Sequence, residues 1–275
     1  ALTTAVSIAS CGPQYYSTNM HNTPLLKEKG DLKFNAAASI SEDVDTPGVE
    51  IQGAYAFSNH WAIIGDYHRV EVQYDENNYN KGYSGALGIG YFTPIQKTDW
   101  VFETYGRIGT GQSTAAFQAR ENHAGSPANY TQQHNFSILS LQSNIGYKRK
   151  NFEAAISAKI SSLGYYQRTL RYNGIESNFP QDKYDPHLKS FVFFEPGIMF
   201  AAGFKNIKIQ SGLSCNLSNV ELPAQVLNFS LGLSFAVNSK NLKETKTKRK
   251  LLLPNWWIQQ NLLISEKKLP TTNMN

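Results

Sequence analysis

No stretch of the sequence approaches the ~20 consecutive apolar residues that a membrane-spanning helix requires, so passage through a bilayer would have to be made by strands. Charge is also sparse, at 17% of residues, which suits β-structure better than long soluble helices. Only two cysteines occur, Cys11 and Cys215, far apart in the chain. They give no Cys/His metal spacing and no expected disulfide. No glycine-rich phosphate loop stands between a strand and a helix. Neither a metal nor a cofactor is therefore expected.

The formal charge of +5 is unevenly placed: between Lys240 and Lys268 eight Lys or Arg face two acids, so that stretch carries +6 and the remainder −1. A groove for phosphate backbones needs cations interleaved with aromatics on one folded surface, and the body has no such cluster, which argues against nucleic acid as a partner.

What the chain does have is 20 Gly, 15 Tyr and 15 Phe, arranged in alternating segments from Asp31 onward. We read ten: 31–41, 49–57, 61–72, 83–92, 100–111, 136–148, 152–164, 190–202, 207–217 and 227–236. In the last, Leu227, Phe229, Leu231, Leu233 and Phe235 alternate with Asn228, Ser230, Gly232 and Ser234. Such a period of two gives each strand one apolar and one polar or small face. The connections at 58–60, 93–99, 149–151 and 203–206 are short, and most of the others are longer and polar. Phe57, Trp61, Tyr91, Phe92, Trp100, Phe102, Tyr147 and Phe152 flank short turns, where an interfacial girdle belongs. The expected fold is all-β: an antiparallel up-and-down transmembrane β-barrel of about ten strands over 31–236. An even strand number puts both termini on the periplasmic side.

With the polar faces inward, Asp66, Glu103, Arg107, Lys159, Glu195 and Lys208 form the expected polar network of the lumen, with Lys33, Glu50, His68 and Glu153 on the same faces. Ten strands enclose little space, so paired side chains are expected to fill it. The polar stretches 112–134 and 168–189 are the expected outer loops, candidate contacts for an extracellular protein or glycan, while membrane lipids surround the wall.

The run Ile8-Ala9-Ser10-Cys11 has the form of a lipoprotein signal peptide's end, making Cys11 the expected lipid attachment site, 1–10 a signal remnant and 11–30 a periplasmic lead-in. The basic tail, 237–275, contains Leu251 to Ile258 with Trp256 and Trp257, and reads as a disordered or membrane-interfacial extension.

Cys11-Gly12-Pro13, Tyr15-Tyr16, the stretch His21 to Gly30 and the strand and turn Gly48 to His60 together resemble the small outer-membrane β-barrel lipoproteins of Bacteroidota bacteria. That resemblance covers 11–236 and implies location and fold; most members have no assigned activity, and it transfers no catalytic residue. The expected function is a non-enzymatic surface contact or envelope-integrity role. Two alternatives are an outer-membrane hydrolase, omptin-like or lipid A-deacylating, for which Asp66 and His68 on one face of the third strand are the starting point, and a soluble periplasmic ligand-binding barrel with an apolar interior.

Overall fold

The computed structural model describes residues 16–41, 48–73, 77–120, 127–173, 175–176, 189–218, 224 and 226–237. The signal remnant 1–10, Cys11 and the tail from 238 onward, Trp256 and Trp257 included, lie outside the described residues.

The alternating segments form strands β1 (Leu32–Ser41), β2 (Gly48–Ala56), β3 (Trp61–Gln73), β4 (Tyr79–Pro94), β5 (Trp100–Arg120), β6 (Pro127–Lys148), β7 (Phe152–Tyr172), the two-residue β8 (Ile175–Glu176), β9 (Ser190–Gly203), β10 (Ile207–Cys215) and β11 (Leu227–Val237). Consecutive wall strands pair antiparallel, β7 passing to β9, while β11 returns to β1 and closes a ten-stranded barrel. β8 only extends the end of β7. Pro196 stands one residue beyond the last β9–β10 pair, Ser214 with Gly197, a position where a strand tolerates a missing donor.

The wall is turned inside out relative to a water-soluble protein. Glu103, Glu153 and Glu195 are fully buried, whereas Leu87 and Ile108 are 73% and 68% exposed. Burying carboxylates while exposing large aliphatic groups is unfavourable in water and appropriate in hydrocarbon. The polar lining does not fit the alternative of a soluble ligand-binding barrel. On the outer face, Trp61 packs edge-on against Tyr91 and Trp100 against Tyr147 at the short-turn end. Tyr67 and Tyr83 mark the other margin. The eight residues from Tyr91 back to Tyr83 span about 27 Å along the strand, or about 20 Å of height at a tilt near 40°, close to the usual apolar band.

Two boundaries differ from the sequence reading. The region 112–134 is not one long loop, because β5 continues to Arg120 and β6 resumes at Pro127, fully paired with each other. β7 likewise carries 168–172 in pairing with β6. Here the buried positions Ser113, Ala115, Gln132 and His134 are themselves polar or small, so the apolar alternation that reveals a strand is lost while the backbone ladder persists.

The short-turn end holds the start of β1 and the end of β11, as an even strand count requires. The chain before β1, however, runs back through the barrel. Tyr16 bridges Ala224, in the β10–β11 connection at the long-hairpin end, while Gly30 donates to the Ala56 carbonyl at the other end. Within the barrel, Tyr16 therefore lies at the long-hairpin end and Ala236, whose amide donates to the Asn206 carbonyl, at the short-turn end, while the two ends of the chain lie outside the described residues.

Candidate functional site: an occupied lumen

An extended segment leaves its amides and carbonyls unpaired, and inside a barrel these have to be met by wall side chains. Wall side chains meet the backbone of residues 16–30 at Thr18, Asn19, Met20, Asn22, Thr23, Leu25 and Leu26. Glu195 on β9 accepts from the Tyr16 hydroxyl at 3.0 Å and from the Thr18 hydroxyl. Asn228 on β11 donates to the Thr18 carbonyl at 2.8 Å, and Ser214 on β10 to the Asn19 carbonyl at 3.0 Å. Glu50 on β2 accepts from the Met20 amide, and Gln52 donates to the Met20 carbonyl at 2.7 Å. The Asn22 side chain donates to the Gly53 and Gly65 carbonyls, while the Asn22 backbone carbonyl accepts from Gln142 at 2.7 Å. Lys148 reaches the Leu25 carbonyl at 2.8 Å, and the Leu26 amide donates to Glu103 at 2.8 Å.

Apolar clusters seal both ends of this polar column. Tyr16 packs with Phe136, Leu163, Tyr165 and Phe193 at the long-hairpin end. At the other end Leu25 has a φ of 52°, the left-handed region that a leucine rarely adopts. This turn lets successive side chains reach opposite walls. Leu25 joins Val101, Ala155, Met199 and Ala201, and Leu26 joins Ala54, Ala56, Ala62, Ile64, Phe92 and Tyr105. Space comes from glycines in the wall: a Cβ on Gly212 would strike Met20, one on Gly146 Leu25, and one on Gly197 His21.

The six sequence-selected lumen residues all point inward. Asp66 and Arg107 form a direct ion pair, and Arg107 also donates to Gln142 at 2.9 Å. Lys159 pairs with Glu195 at 3.1 Å and donates to Asn19 at 2.9 Å. Lys208 pairs at 2.9 Å with Glu153, to which Lys33 also binds at 2.6 Å. Glu103 serves the Leu26 amide and Asn144. Asp66 and His68 share a face but not a task. Asp66 is held by Arg107 and lies 3.4 Å from Asn19, while buried His68 lies 3.9 Å from Glu50, so no open cleft joins them.

Sequence reasoning missed the segment that fills the lumen: Tyr16, Thr18, Asn19, Met20, Asn22, Leu25 and Leu26, held by Asp66, Glu103, Lys159 and Glu195 together with Glu50, Gln52, Gln142 and Lys148. Its polar composition suits a linker. The available signal was Met20, Leu25 and Leu26 embedded in it, together with the inward-facing glycines opposite.

Outside the membrane, Asp99 in the β4–β5 turn accepts from Arg149 at 2.9 Å and faces Lys27 at 3.5 Å. The Arg149 hydrogen bond, with help from Lys27, holds this carboxyl below its usual range. Among the described residues no group of three or more His, Cys, Asp or Glu side chains is placed to hold a metal ion.

No family model matches the chain, and no curated protein matches it. Among solved structures it is similar to the porin NanC, at 10% identity and a TM-score of 0.33, covering 74% of this chain and 98% of that one. It is also similar to Ail, the attachment invasion locus protein of Yersinia pestis, at 12% identity and a TM-score of 0.32, covering 76% and 99%. At these TM-scores the likeness carries no argument, and the barrel rests on the strand pairing of this chain itself.

Proposed function

We propose that this protein is a non-conducting, non-enzymatic outer-membrane barrel, closed by its own amino-terminal segment and acting at the cell surface through the hairpins of β4 to β7. The occupied lumen carries this reading: both ends are sealed by apolar side chains, and the polar middle is taken up by hydrogen bonds to residues 16–26. The apolar exterior supports insertion, and the short-turn end is assigned to the periplasm by the general rule for such barrels.

A lipid anchor at Cys11 remains part of this proposal, and the passage of residues 16–30 through the barrel supports a surface-contact or envelope-integrity role. The Bacteroidota lipoprotein assignment is retained as part of the same proposal.

The test is conductance in planar bilayers with the intact chain and with a chain lacking residues 16–26. Closed behaviour of the intact protein, with openings after deletion, supports the reading. Sustained open-channel current through the intact protein overturns it. Radiolabelled palmitate incorporation lost in Cys11→Ala tests the anchor.

A further inference from the structure

The outer wall of β2 to β5 is not a uniform apolar surface. Gly53 and Gly65 are cross-strand partners, and Gly106 lies nearby on β5. All three side-chain positions face outward, leaving a groove of about 720 Å³ floored by glycine and rimmed by Ile51, Ile63, Leu87, Ile89 and Ile108. A Cβ added at Gly53 or Gly106 would meet nothing within 4 Å. At Gly53 and Gly106 the groove therefore reflects missing side chains, whereas the Leu87 side chain leans over Gly65, where a Cβ would meet it at 2.9 Å.

Tyr67 lines this groove and also a second crevice directly above it, toward the long-hairpin end. The second crevice has a different chemistry, because Arg69, Lys81, Tyr79 and Tyr83 line it. Glu71 lies between the two cations, 3.1 Å from Arg69 and 2.7 Å from Lys81. This carboxylate holds them side by side and leaves the patch a net positive charge. One interaction each with Glu71 leaves further N–H donors on both, since an ammonium has three and a guanidinium five. Arg69 is 60% exposed and Lys81 46%, and Lys81 also lies 4.6 Å over the Tyr79 ring. The tyrosines mark the headgroup level, so cations stand where phosphates lie and an apolar trough runs down from them into the hydrocarbon.

We propose that this composite surface is a binding site for one anionic, phosphate-bearing lipid of the leaflet on the long-hairpin side. One acyl chain lies in the glycine-floored groove, and the phosphate accepts from Arg69 and Lys81. The site rests on the membrane-inserted reading above, because only there do groove and crevice fall at chain and headgroup depth. Charge complementarity selects an anionic lipid over a second protein copy, which would have to cover an exposed Arg and Lys as well as the trough.

Native mass spectrometry of delipidated protein titrated with dioleoylphosphatidylglycerol tests the site, with dioleoylphosphatidylcholine and inorganic phosphate as separate arms. The expected result is one retained phosphatidylglycerol per barrel, with phosphatidylcholine and free phosphate retained at least tenfold less. Arg69→Ala/Lys81→Ala and, separately, Gly106→Leu should each reduce retention at least tenfold. Gly106→Leu fills the groove while leaving every charge in place. Equal retention of the two lipids, free phosphate binding that ignores Gly106→Leu, or unchanged retention in both variants overturns the proposal. Heat-modifiable migration and resistance to carbonate extraction, measured on the same variants, report insertion independently, so failure of the lipid site and failure of the membrane reading are distinguishable.

Discussion

Lys33 on β1 and Lys208 on β10 divide the carboxylate of Glu153 on β7 between them, at 2.6 and 2.9 Å, with all three side chains withdrawn from solvent. These strands are not neighbours in the wall, so the contact spans the lumen. Removing the acid leaves two buried ammonium groups without their counter-charge, a defect that costs about 3–5 kcal/mol. Glu153→Gln is expected to lower the urea midpoint in detergent micelles by that order, and the triple replacement Lys33→Met/Glu153→Leu/Lys208→Met to recover much of it. A Glu153→Gln barrel as stable as the parent would remove the basis for this account.

Asp66 and Arg107 should behave as a coupled unit. Asp66→Asn and Arg107→Gln are each expected to destabilise, and a double-mutant cycle to give a coupling of about 1–3 kcal/mol. Additive losses would mean that the pair makes no mutual contribution.

Wall glycines make a prediction with a built-in contrast. A Cβ on Gly146 meets Leu25 at 2.5 Å and the Ala154 carbonyl at 2.9 Å, whereas one on Gly53 enters open space. Gly146→Val is expected to lose about 1–3 kcal/mol through overpacking and to produce intermittent channel openings as Leu25 is pushed aside. Gly53→Val should match the parent in both the urea midpoint and bilayer recordings. Matching behaviour of the two variants would show that the segment does not fit against the wall as described.

Acid dependence can be read at Asp99. Its carboxyl is held low in the folded protein, so the associated stability is complete above the unfolded value of about 3.9 and is lost as the pH falls through the folded value. The group is exposed and its contribution is screened by salt. The gap in thermal midpoint between the parent and Asp99→Asn should therefore be small at pH 7, narrow toward pH 2 and shrink in high salt. A gap independent of pH would point elsewhere.

The transmembrane part of the fold was legible because hydrocarbon on one side and a polar lumen on the other impose strict alternation, as Leu227 to Phe235 show. Where that contrast stops, so does the signal. Gln112 to Arg120 and Pro127 to Gln133 are paired strand, yet apart from the stacked Phe117 and Tyr130 the stretches carry no large apolar residue to mark a face. The direction of Asp66, Glu103, Arg107, Lys159, Glu195 and Lys208 was readable from the same alternation. The partner shared by Asp66, Glu103, Lys159 and Glu195 was not, because Thr18, Asn19 and Asn22 have the side chains of a linker, and only tertiary context turns those amides and hydroxyls into matches for Glu195, Lys159 and the Gly53 and Gly65 carbonyls.

Residues 16–26 exchange hydrogen bonds with β1, β2, β3, β5, β6, β7, β9, β10 and β11. The segment thus bears on assembly: its set of hydrogen bonds is complete only in the closed ring, so lumen filling and ring closure stabilise each other. Its long-range contacts favour one slow, concerted step over stable hairpin-by-hairpin intermediates.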